Sequence, residues 1–148
     1  MPARVSVFLD TSALFAGIWS ATGGGRMILK LGEAGAIRLL VSPQVLGEIE
    51  SALHRKAPDV LGLLALLLDR SRVEVVPSPM PETVQDSEAL TGHLGDAQVL
   101  AAAWGAGANY FVTLDRKHFL GNKTLTDAVP FAIGTPGDFL AWYRKQLT

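Results

Sequence analysis

Four acidic residues stand where a chain can gather negative charge for phosphate chemistry: Asp10, Glu48, Asp96 and Asp115. Asp10 ends the apolar run 5–9, and Asp115 follows the second such run, 110–113. Asp96 opens an alanine-rich segment just after Gly95, and Glu48 lies about one and a half turns into a helix begun at Ser42-Pro43. Singly, each has a plain structural explanation. Asp96 suits a helix N-terminus, Asp115 a turn, and Glu48 a solvated helix face beside Glu50. Asp10 is the exception, because an aspartate closing a buried strand needs a partner. Brought together, the acids raise one another's pKa unless a cation joins them. A hard divalent ion with oxygen ligands, Mg²⁺ or Mn²⁺, is the natural partner. The stretches LDTSAL and LGDAQVL hold no lysine or arginine to neutralise them, although Arg116 and Lys117 follow Asp115.

The elements that must position these acids alternate between strand and helix. Runs 5–9 and 37–41 read as buried strands, 73–76 and 110–113 as a third and fourth strand, with a fifth at 131–133. Helical spacing covers 26–34, 42–56, 59–70, 96–105 and 136–146, and Ser12 is expected to cap a further helix ending at Trp19. Gly23-Gly24-Gly25 reads as a flexible turn, and Pro77, Pro79 and Pro81 mark a loop. This alternation predicts an α/β fold with a mostly parallel sheet of four to five strands, covered on both faces. Sites in such sheets form at the carboxyl ends of the strands, where strand order reverses. Asp10 and Asp115 belong at that edge.

Bulk composition sets the outer limits. The 148 residues suit one domain over 1–148, and 49% apolar against 18% charged residues excludes a disordered chain. With no cysteine, disulfides, thiolate catalysis and cysteine-ligated zinc are all excluded. The longest apolar stretch, 61–68, falls far short of the roughly 20 residues that span a bilayer. Asp10 interrupts the N-terminal apolar run, which argues against a signal peptide, so a cytoplasmic protein is the simplest reading. A net charge of −1 offers a polyanion no general attraction, leaving local phosphate contacts and cations to do that work.

In order and spacing, LDTSAL (9–14), SPQVLGEIE (42–50), GDAQVLAAA (95–103) and VTLDRKHF (112–119) resemble the four motifs of PIN domains, nearest to the VapC-like toxins. FAIGTPGDFLAWY (131–143) is similar to the terminal strand and helix of one PIN subgroup. The resemblance implies a three-layer α/β/α fold and a Mg²⁺- or Mn²⁺-dependent endoribonuclease. Asp10, Glu48, Asp96 and Asp115 match its four acids, with Asp10, Asp96 and Asp115 as metal ligands. Ser12 and Thr113 match its small hydroxyl residues, positioned for a water, a phosphate oxygen or simple capping bonds. Many relatives carry a further acid just before the third; here His93, Leu94 and Gly95 stand there, and Asp86 and Glu88 are distant. RNA is then the expected substrate, with a cognate antitoxin and a homodimer, through the leucine-rich 59–70 helix, as expected partners.

The remaining residues read more plainly. His54, His93 and His118 have no metal-ligand spacing to one another; His118 is expected to be an ordinary surface histidine, the alternative being a phosphate contact beside Arg116 and Lys117. Arg116 and Arg26 are candidates for RNA contact. Trp19, Trp104 and Trp142 are expected to pack rather than to stack bases. Two other functions fit less of the chain. A haloacid-dehalogenase-type phosphatase needs a second aspartate two residues after the first, where Ser12 stands. A non-catalytic PIN-like binding module is expected to lose acids, and all four are present.

Overall fold

The computed structural model describes residues 4–148. Five strands form one parallel sheet in the order β3-β2-β1-β4-β5: β1 Ser6–Leu9, β2 Arg38–Val41, β3 Glu74–Val75, β4 Tyr110–Val112 and β5 Ala132–Gly134. The chain winds outward from β1 to β3, then crosses back and continues on the other side through β4 and β5. Strand order therefore reverses between β1 and β4, which pair Val7 with Tyr110, Phe8 with Phe111 and Leu9 with Val112.

Successive residues of a strand face opposite sides of the sheet. Tyr110 packs against Phe139 and Trp142 of the last helix, α8 (Pro136–Gln146). Phe111, one residue on, stacks with Phe8 and meets Phe119 and Phe131 on the other side, where Trp104 closes against Phe131. Phe8, Leu40, Phe111 and Phe139 are essentially inaccessible to water. The sheet is thus covered on both faces, the expected α/β arrangement.

The helices begin at α1 Thr11–Trp19 and α2 Gly24–Glu33. Next come α3 Pro43–Lys56 and α4 Leu61–Arg70, joined by a short turn over Pro58–Val60. The α3 helix starts as its sequence indicates, with Ser42 Oγ accepting from Val45 N and Pro43 in the first turn. Two antiparallel neighbours, α5 Pro81–Thr91 and α6 Leu94–Gly105, follow the proline loop, and α7 Lys123–Ala128 precedes β5.

Four local expectations are corrected. The cap of α1 is Asp10, not Ser12: Asp10 Oδ1 accepts from Ala13 N at 2.9 Å, because the residue closing β1 is already extended. The glycine run is not a flexible turn, since α2 starts inside it. A Cβ on Gly25 would lie 2.8 Å from Gly17 N, so glycine is what lets α1 and α2 approach. Arg26 does not project toward a ligand; its guanidinium donates to the carbonyls of Gly17 and Ile18 and closes the C-terminal end of α1. Trp19 is 61% exposed and stacks only on Phe15, whereas Trp104 and Trp142 pack against the core as expected.

Candidate metal centre

Asp10 and Asp115 meet because β1 and β4 are neighbours at the point of reversal. Asp10 N donates to Val112 O at 3.2 Å, continuing the β1–β4 ladder one residue past the strands. Asp10 is 6% exposed, and its carboxylate accepts three hydrogen bonds, from Ala13 N, from Ser12 Oγ at 2.7 Å and from Thr113 Oγ1. The two hydroxyls also accept. Leu114 N donates to Ser12 Oγ and Asp115 N donates to Thr113 Oγ1, both at 3.0 Å. Ser12 and Thr113 therefore bind the ends of β1 and β4 together and fix the Asp10 side chain.

Asp115 caps the tight turn Arg116–Leu120, accepting from His118 N at 3.0 Å. Asp96 lies in the first turn of α6, a favourable place for a negative charge. Glu48 reaches in from α3, held by Thr11 Oγ1 at 2.6 Å and Gln44 Nε2 at 2.9 Å. Gln44 also donates to Gly95 O, which ties α3 to the start of α6. All four acids line one cavity of about 410 Å³, together with Thr11, Ser12, Phe15, Gly95, Val99 and Phe119. The structure thus brings together every acid that the sequence singles out. Arg116 does not line this cavity; it faces a separate depression beside Thr135 and Asp138.

Burial and the neighbouring His118, more than repulsion between the acids, set the electrostatics of the site. Burial pushes the Asp10 carboxyl up; its hydrogen bonds oppose this, and the charge of Asp115 adds to it. Asp96 is also raised, chiefly by burial, with Asp115 and Glu48 adding repulsion and His118 and His93 opposing. For Asp115, burial acts upward but is outweighed by the hydrogen bonds and attraction of His118, so it lies below the ordinary carboxylate range. Among the described residues, no lysine or arginine forms an ion pair with these acids, and His118 is their basic neighbour.

His118 corrects the expectation of an ordinary surface side chain. Its Nδ1 lies 2.8 Å from Asp115 Oδ2 and 3.7 Å from Asp96 Oδ2. One ligand atom from each of Asp96, Asp115 and His118 falls within 4.8 Å of the others. That set, with the buried Asp10 carboxylate next to Asp115, fits the oxygen-rich donor chemistry of a divalent cation. The overlooked signal was the spacing of His118 to Asp115, three residues apart in one turn, rather than to another histidine.

A parallel sheet with its cleft at the point of strand reversal places the chain among α/β proteins whose sites form at the carboxyl ends of the strands. The PIN domain model matches residues 6–117, and the chain belongs to the PIN-domain family. Its fold is shared with solved toxin–antitoxin structures. DNA-bound VapBC from Salmonella typhimurium aligns with a TM-score of 0.67 at 15% identity, over 90% of this chain and 99% of that one. VapBC2 from Rickettsia felis, bound to a promoter DNA fragment, gives 0.66 at 16%, over 88% and 97%. Mycobacterium tuberculosis VapC20, a Sarcin-Ricin loop cleaving toxin, gives 0.54 at 20%, over 78% and 94%. No curated protein sequence matches the chain. Among the described residues, no helix is long and apolar enough to cross a membrane.

Proposed function

We propose that the chain is a metal-dependent endoribonuclease that hydrolyses phosphodiester bonds in RNA, and that it is the toxin of a toxin–antitoxin pair. The observation that carries the reading is the convergence of Asp10, Glu48, Asp96 and Asp115 on one cavity where, among the described residues, no lysine or arginine is paired to them. Family membership makes nuclease chemistry the natural use of such a cavity, and the VapBC likenesses support a cognate antitoxin as partner.

Asp10, Asp96 and Asp115 would hold Mg²⁺ or Mn²⁺. Bound there, the cation supplies Lewis acidity, offsetting charge on a scissile phosphate and lowering the pKa of a coordinated water. The protein's own contribution is order. Ser12 and Thr113 hold the Asp10 carboxylate in one orientation on the cavity it shares with Asp96 and Asp115. Glu48, at the exposed rim and fixed by Thr11 and Gln44, would orient the attacking water or complete the outer shell. A phosphatase of the haloacid-dehalogenase type is disfavoured by the position of Ser12, whose hydroxyl is committed to Asp10.

The test is cleavage of a mixed pool of cellular and single-stranded RNA in Mg²⁺, in Mn²⁺ and in chelator. Cleavage is expected only with metal, and Asp96→Asn should slow it by at least about a hundredfold, a loss of roughly 2.7 kcal/mol of transition-state stabilisation. An RNA pool left intact by the metal-loaded protein, or cut equally well in chelator, would overturn the proposal. We also propose a homodimer through α4, whose Leu63 and Leu66 are exposed.

A further inference from the structure

A metal site of carboxylates alone does not distinguish Mg²⁺ from a transition ion by ligand type, but an imidazole does. We infer that His118 is an additional ligand of the cation held by Asp96 and Asp115, making a mixed nitrogen–oxygen site that selects a first-row transition ion such as Mn²⁺ or Co²⁺ over Mg²⁺. The inference rests on the proposed metal centre and specifies its ligand set.

Geometry comes first. Octahedral bonds of about 2.1 Å place adjacent ligand atoms about 3.0 Å apart and opposite ones about 4.2 Å apart. The separation of 2.8 Å between His118 Nδ1 and Asp115 Oδ2 corresponds to adjacent positions. The 3.7 Å to Asp96 Oδ2 falls between the two limits. Both separations from His118 Nδ1 thus lie within the span of one octahedral shell, and the three ligand atoms all fall within 4.8 Å of one another.

The ring is also held in place. Asp115 Oδ1 accepts from the His118 backbone N–H, which fixes the turn between the two residues. His93 packs edge-on against the His118 ring, with centroids 4.7 Å apart and planes at 83°. His118 is only 28% exposed at its side chain, so the ring presents Nδ1 inward rather than sampling solvent. Ligation uses the tautomer protonated at Nε2. The hydrogen bond between Nδ1 and Asp115 is then replaced by a bond from each partner to the cation.

The chemical consequence is a preference order. Mg²⁺ is a hard ion that favours oxygen donors and keeps much of its water. Affinity at a site containing nitrogen rises from Mn²⁺ through Co²⁺ along the first row. Removing the imidazole should therefore weaken Co²⁺ binding most, Mn²⁺ binding less and Mg²⁺ binding least.

The experiment uses the full chain with Mn²⁺ as the probe, read by pulsed electron paramagnetic resonance, beside calorimetric titrations with Mg²⁺, Mn²⁺ and Co²⁺. Wild type is expected to show modulation from a directly bound ¹⁴N that changes to the ¹⁵N pattern when histidine is labelled. The signal should vanish in His118→Gln and persist in His93→Gln, and Co²⁺ affinity in His118→Gln should fall on the order of tenfold. Because the spectrum of wild type answers alone, a poorly folded variant does not blunt the test. Mn²⁺ bound without directly coordinated nitrogen would overturn the inference and leave the carboxylate centre standing. No Mn²⁺ binding at all would remove the centre and the inference together.

Discussion

Replacing Asp96 by asparagine separates a metal ligand from a structural acid, because the two roles predict opposite changes in stability. The Asp96 carboxyl is raised above its usual 3.8 by burial, which outweighs the lowering by His118 and His93 that Asp115 and Glu48 only partly cancel. A raised folded-state value means that the native protein holds the proton more tightly than the unfolded chain. The stability tied to that proton is fully present below about pH 3.8 and is lost as pH rises through the folded value. Asparagine mimics the protonated form at every pH. In chelator, wild type and Asp96→Asn should therefore melt together in acid, and the mutant should melt slightly higher at neutral pH. The Asp96 side chain is partly exposed, so solvent screens it and the gain in chelator is expected to be small. Divalent metal reverses the order. At a hundredfold excess over its Kd, a ligand of the native state contributes about 2.7 kcal/mol, about 8 °C for a chain of this size. Wild type should show that gain, and the mutant most of its loss. Scanning calorimetry from pH 3 to 8, with chelator and with Mg²⁺, reads all four limbs. A mutant that melts lower in chelator at every pH, or gains as much from metal as wild type, would refute the reasoning.

Two further outcomes follow from packing and exposure. Gly25→Ala forces a Cβ to 2.8 Å from the Gly17 backbone, so it should cost about 1–3 kcal/mol and lower the melting temperature by several degrees; unchanged melting would show that α1 and α2 are not in close contact. Leu63→Lys combined with Leu66→Lys should convert a homodimer into a monomer in sedimentation at micromolar concentration, whereas a monomeric wild type would remove the α4 interface.

Elements governed by local chemistry were legible in the sequence. Ser42-Pro43 announces α3, apolar runs announce β1, β2 and β4, and Asp10 and Asp115 reach one edge because alternating strands and helices build a parallel sheet. What escaped depends on contacts between distant residues. Helix α5 buries only Ser87 and Thr91, so it carries no apolar stripe, and the prolines before it read as loop. The glycine run became the start of α2 because Gly17 and Gly25 meet across two helices. Arg26, a candidate for RNA contact, instead satisfies carbonyls at the end of α1. Asp10 carries two roles at once, helix cap and candidate ligand, so its substitution mixes folding with function in a way that Asp96 does not. His118 was hidden because its partner is an acid three residues away, folded back by a turn that no periodicity announces.

The proposed metal centre puts a divalent cation among the acids at the carboxyl edge of β1 and β4. Its most direct test is the anomalous difference map from a crystal of the protein soaked in Mn²⁺. The account predicts a peak among the Asp10, Asp96 and Asp115 carboxylates, with oxygen ligands at about 2.1–2.2 Å. Bound Mn²⁺ found only elsewhere on the surface, with that cavity empty, would contradict it.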